Sequence, residues 1–126
     1  PNINAALGCA QFEQLEDLIE KKRQLVNKYE QLIEDCDGIQ LFKEPEFAKS
    51  NYWLQTLIFD EKIYNIDEVL ETLNNHNVMS RPVWKPLHLL NPFQNCPKAD
   101  LSVTEQLQYQ IVNVPSSPYL GEDVDG

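Results

Sequence analysis

From Asn4 to Cys36 apolar side chains return at short, regular intervals: Leu7, Ala10, Leu15, Leu18, Ile19, Leu25, Val26, Tyr29, Leu32 and Ile33. That spacing gathers them mostly on one side of a helix. Glu16, Asp17, Glu20, Lys21, Lys22, Arg23 and Lys28 lie between them and form a solvated face. Charge pairing on that face nearly cancels, because Glu16 and Glu20 repel at i,i+4 while Asp17 and Lys21 attract. One long amphipathic helix is predicted, closed at Asp37-Gly38, where glycine adopts the left-handed cap conformation. The apolar spacing drifts and spans too few heptads for a coiled coil.

Beyond Gly38 the pattern shortens. Ile39 to Phe42 reads as a short strand, and Lys43 to Asn51, with Pro45, as a loop. Tyr52 to Phe59 is aromatic, β-branched and almost without polar positions, which predicts a central strand covered on both faces. Asn65 with Glu68 three residues later marks a helix start, and that helix ends in the polar run Asn74 to Asn77. Two prolines between Ser80 and His88 predict a short strand passing into a shaped loop. Ser102 to Glu105 reads as a capping box opening a last short helix, and Ile111 to Pro115 as a final strand. Without regular strand–helix alternation, the expected fold class is mixed α/β: a long N-terminal helix plus a small sheet with helices on it.

The length, 126 residues, suits one domain with a sizeable core. We place that domain at residues 1–120, followed by an acidic, mobile tail at 121–126. A formal charge of −10 repels phosphate backbones and anionic lipid, which argues against nucleic-acid and membrane partners. Cys9, Cys36 and Cys96 are widely spaced and form no Cys-x-x-Cys pair, so buried thiols in a reducing, cytoplasmic setting are expected. The chain opens on Pro1 rather than Met and enters a helical pattern almost at once, which reads as an excerpt of a longer protein.

No complete catalytic constellation or metal-ligand spacing is present. His76 and His88 are the only histidines, and His76 falls in a polar helix end. The acidic pairs Glu34/Asp35 and Glu44/Glu46 read as solvated charge. The stretch Arg81 to His88 differs, because it combines one of two arginines, one of two tryptophans, a lysine and a histidine between stiffening prolines. Arg81 and Lys85 suit phosphate or carboxylate, Trp84 a ring, and His88 a hydroxyl. The competing reading puts Trp84 in the core and leaves the cations as surface charge.

Two stretches then carry a resemblance. Pro1-Asn2-Ile3-Asn4-Ala5-Ala6-Leu7-Gly8 through Leu15 resembles the segment that opens the small domain of DegT/StrS-type sugar aminotransferases. Ser80-Arg81-Pro82-Val83-Trp84-Lys85-Pro86-Leu87-His88 is similar to that family's C-terminal Arg/aromatic/Pro-Leu-His segment, and Val114 to Leu120 to its last strand and turn. The Trp-Lys-Pro-Leu-His wording leans toward enzymes aminating UDP-linked keto-sugars of the bacillosamine or legionaminic acid type.

The resemblance implies the small domain of a fold-type-I aminotransferase with a mainly antiparallel sheet. It implies a homodimeric parent that uses pyridoxal phosphate to move an amino group from glutamate to a nucleotide-linked keto-sugar. The cofactor lysine then lies in a large domain outside this chain, so the chain alone should bind no cofactor and catalyse nothing. Its partners are that large domain, a second subunit and the UDP-sugar. Arg81, Trp84, Lys85 and His88 become a substrate-side loop. A non-catalytic interaction module built on the long N-terminal helix is the alternative. Without a covering domain, the long helix or the Tyr52–Phe59 strand should expose apolar surface.

Overall fold

The computed structural model describes residues 1–121. The chain divides into two compact units, one from Pro1–Glu34, Glu44–Trp53 and the chain from Ser116 on, the other from Asp35–Lys43 and Leu54–Pro115.

The first unit is helical. The single helix expected over Asn4–Cys36 is two: α1, Asn2–Phe12, and α2, Leu15–Ile33. Between them the Gln14 N–H donates to Gln11 O at 3.2 Å, an i−3 bond that tightens the turn and takes Gln14 out of helical geometry. Neither glycine nor proline stands at the break. The apolar stripe holds on α2, where Leu25 and Val26 are buried. On α1 the apolar residues are not confined to one side, and none of its residues is buried.

Cations on α2 hold the neighbouring loop. The Lys22 ammonium donates to the carbonyls of Tyr52, Trp53 and Ser116, the last at 2.6 Å, and burial lowers its pKa. Arg23 grips Glu44 through both terminal nitrogens at 2.8 and 3.0 Å and donates to Ser50 O at 2.8 Å. Its guanidinium also lies 5.4 Å from the centre of the Tyr52 ring. Glu44 Oε2 accepts the Ser50 N–H as well. Within this clamp Tyr52 sits at φ 47°, in the left-handed region a bulky residue takes only when its surroundings impose it. The turn Pro118–Gly121 packs on α2, and Gly121 lies so close to Lys21 O that a side chain there would collide with the backbone. Residues 122–126, most of the expected tail, lie outside the described residues.

The second unit carries the sheet: β1, Ile39–Leu41; β2, Gln55–Phe59; β3, Arg81–Pro82; and β4, Ile111–Val114. The order is β1-β2-β4-β3, antiparallel throughout. This is the expected mixed α/β fold with a small antiparallel sheet. The strand predicted from Tyr52 begins only at Gln55, because Tyr52 leaves extended geometry. As expected β2 is internal. One face, Gln55, Leu57 and Phe59, is buried against Val112 and Val114 on β4, while Thr56 and Ile58 on the other are half-buried. Period-two alternation does this sorting.

Helix α3, Ile66–Asn75, starts as the sequence predicts: Asn65 Oδ1 accepts the N–H of Asp67 at 2.9 Å and of Glu68 at 3.4 Å. Gly38 has φ 75° and lies against Ile63 and Tyr64, and Tyr64 meets Phe59 edge-on at 5.4 Å. Helix α4, Ser102–Leu107, starts differently from the predicted capping box. Ser102 is already helical, Leu101 stands at the cap position without a side-chain bond, and Asp100 just before it accepts the Ser102 N–H at 3.0 Å and its hydroxyl at 3.1 Å. Those bonds hold the Asp100 carboxyl below its ordinary pKa, the backbone N–H foremost. The thiols are also misjudged by composition: Cys9, Cys36 and Cys96 are all exposed, on uncovered α1, past the end of α2 and in an irregular loop.

Candidate functional site

The Arg81–His88 segment is fixed at both ends. After α3 the chain reverses at Asn77, φ 62°, and the Asn74 side chain clamps Ser80 by donating to its carbonyl at 3.1 Å and accepting its N–H at 3.2 Å. Ser80 is buried, so the strand after it starts from a set position. Arg81 pairs with Asn113 and Pro82 with Val112 on β4. A proline lacks a ladder donor, which suits β3 to the sheet edge. Arg81 shares its face with Asn113 and Thr56, whose side chains are joined by a 2.8 Å hydrogen bond.

At the other end Pro86 leads into a 3-10 turn, Leu87–Leu89. The His88 side chain is only 8% exposed, and its Nε2 lies 2.9 Å from Glu105 Oε1 on α4. His88 also lines a cavity of about 350 Å³ with Pro86, Leu87, Phe93, Cys96 and Leu101. Between these anchors Trp84 is 68% exposed, and Arg81 and Lys85 are exposed. The reading that seats Trp84 in the core is therefore wrong. The structure gathers the four residues on one anchored span, where His88 is pinned by a side-chain partner 17 positions away.

Glu105 is the residue that sequence reasoning assigned elsewhere, to the capping box. Its pairing with His88 bridges 17 positions, beyond what helix-start spacing reveals. His76 is a helix-end residue as expected, with Nδ1 2.8 Å from Thr72 O. Among the described residues no group of three His, Cys, Asp or Glu is placed to hold a metal ion.

A seat for pyridoxal phosphate needs an amine able to form an imine, a carboxylate for the pyridine nitrogen and donors for the phosphate. Neither Lys22 nor Lys85 fits the amine's role. Lys22, whose pKa burial lowers, spends its donors on three carbonyls, and Lys85 stands exposed before Pro86.

Comparison with known proteins follows the same lines. The chain is 34% identical over 129 residues, 99% of its length and 33% of the relative's, to EpsN of Bacillus subtilis (strain 168), provisionally named a pyridoxal phosphate-dependent aminotransferase. It is 30% identical over 126 residues to the GDP-perosamine synthase of Escherichia coli O157:H7, covering 97% of this chain and 32% of that one. The aminotransferase TlmJ from Streptoalloteichus hindustanus shares the fold, with a TM-score of 0.81 at 21% identity, over 96% of this chain and 32% of TlmJ. The chain thus spans about a third of the length of these relatives. Residues 1–125 match the DegT/DnrJ/EryC1/StrS aminotransferase family, and the chain belongs to that family.

Proposed function

We propose that this chain is the small domain of a pyridoxal phosphate-dependent aminotransferase that moves an amino group from glutamate to a nucleotide-linked keto-sugar. The observation that carries the reading is the anchored Arg81–His88 span, which presents exposed cations and an exposed indole within a family of aminotransferases. Arg81 and Lys85 supply charge for the diphosphate, Trp84 a stacking plane for base or sugar, and His88 a ring nitrogen for a hydroxyl. The cofactor, when bound elsewhere in the protein, supplies the electron sink for the amino-group transfer. Under this reading its lysine belongs to a large domain outside this chain.

The exposed apolar residues of α1 favour an interaction face. Ile3 and Leu7, one turn apart on the same side, are 76% and 64% exposed. Under this reading the face packs on the large domain or on the second subunit of a homodimer. A stand-alone interaction module on α1 is the alternative, and it predicts no amination by any protein that carries this chain.

The test is amination by the intact protein with pyridoxal phosphate, glutamate and a nucleotide-linked 4-keto-6-deoxy-sugar. UDP and GDP forms are run in parallel, because the Trp84–His88 wording favours UDP and the E. coli relative's name carries GDP. Amino-sugar product supports the reading, and no product with either form overturns it. An imine absorbance band on titrating the 126-residue chain alone with the cofactor would overturn the placement of the lysine elsewhere.

A further inference from the structure

We propose that Glu105 is a positioning residue for His88, fixing the imidazole tautomer so that Nδ1 accepts a hydrogen bond from a substrate hydroxyl. This rests on the reading of His88 as substrate-side. A carboxylate only accepts hydrogen bonds, so at 2.9 Å the nitrogen facing it carries the hydrogen. In the neutral ring Nδ1 is then the acceptor. The His88 side chain is 8% exposed, whereas Glu105 is half-exposed, so the carboxylate retains its hydration while the ring depends on its partner for orientation. The chain brings the two together from separate elements: His88 from the 3-10 turn after Pro86, and Glu105 from α4. A residue placed to cap its own helix would instead bond back along α4. The cavity beside the ring is lined chiefly by apolar side chains, with Lys98 and Thr104 the other polar residues on its wall besides His88.

The test compares Glu105→Ala, Glu105→Gln, His88→Asn and the double variant His88→Asn/Glu105→Ala in the intact protein, with His88→Ala as reference. The readout is KM for the keto-sugar against kcat. Glu105→Ala should raise KM about tenfold, the scale of one lost hydrogen bond, with a smaller change in kcat. Glu105→Gln should stay close to wild type, because its amide oxygen still accepts from Nε2. An asparagine places its amide oxygen where Nδ1 stands and needs no partner at Nε2, so adding Glu105→Ala to His88→Asn should cost little. A penalty that persists undiminished in that background makes Glu105 a support of α4 and overturns the proposal. A silent Glu105→Ala beside an impaired His88→Ala overturns the proposal alone, whereas a silent His88→Ala overturns the substrate-side reading beneath it. Nitrogen-15 spectra of wild-type histidine provide a readout that does not depend on any variant folding. They should show His88 with hydrogen on Nε2, and hydrogen on Nδ1 would overturn the assignment.

Discussion

Helix α1 and the β2–β4 pair are both built largely from apolar side chains, yet their fates are opposite. Leu57, Phe59, Val112 and Val114 are 7%, 4%, 0% and 5% exposed, whereas Ile3, Leu7 and Phe12 stand mostly in solvent. The strand pair closes its own core, because antiparallel register sets Leu57 against Val112 and alternation sends the same face inward on both strands. The helix carries apolar residues on both sides, and none of them is buried within the described residues. Hydrophobic pattern therefore identifies a face that wants burial without saying which surface supplies it. Of the two places expected to expose apolar surface, the helix does so and the strand does not.

The contrast is broken hardest at the strand pair. Leu57→Ala should cost about 3 kcal/mol of unfolding free energy by urea denaturation, the usual scale for a leucine cavity. A loss under about 1 kcal/mol would mean the pair is not the core of its unit.

Acid should act next, on the Arg23–Glu44 clamp. The hydrogen bond from Arg23, then the Ser50 N–H, holds the Glu44 carboxyl below its ordinary pKa. A carboxyl lowered on folding contributes stability fully above the unfolded carboxylate range, and that contribution is lost as pH falls toward the lowered value. Glu44→Gln should therefore flatten the acid limb of a stability-against-pH curve while leaving its alkaline side parallel to wild type. An unchanged acid limb would remove Glu44 from the clamp.

Asn65→Ala removes the side-chain cap of α3 and should cost about 1 kcal/mol, measured by thermal or urea unfolding. The smallest effect sharpens the comparison most. Leu7→Ser should change the unfolding free energy of the isolated chain by less than about 0.5 kcal/mol. In the intact protein the same change should lower the melting temperature or the dimer fraction. Equal and negligible effects in both settings would leave the α1 face without a role.

What could be read in the sequence was local. Gly38 and the Asn65 cap follow from conformational preference and short-range hydrogen bonding, and β4 from its β-branched run. Of the candidate site, the span Arg81–His88 was legible through its composition and prolines. Features set by distant partners were not. The helix break at Glu13–Gln14 has no residue signal, Asp100 displaces the capping box by competing for Ser102, and the exposure of Trp84 and the cysteines depends on what the fold covers. The Glu105–His88 contact joins two elements whose juxtaposition no periodicity encodes.

The most direct measurement separates the two halves of the proposed reaction in the intact protein: kcat/KM for the keto-sugar and for glutamate, wild type against His88→Ala. A selective fall on the sugar side, about tenfold or more with the glutamate half preserved, is the expected result. Equal falls in both halves, or none in either, would contradict the placement of the Arg81–His88 span against the sugar.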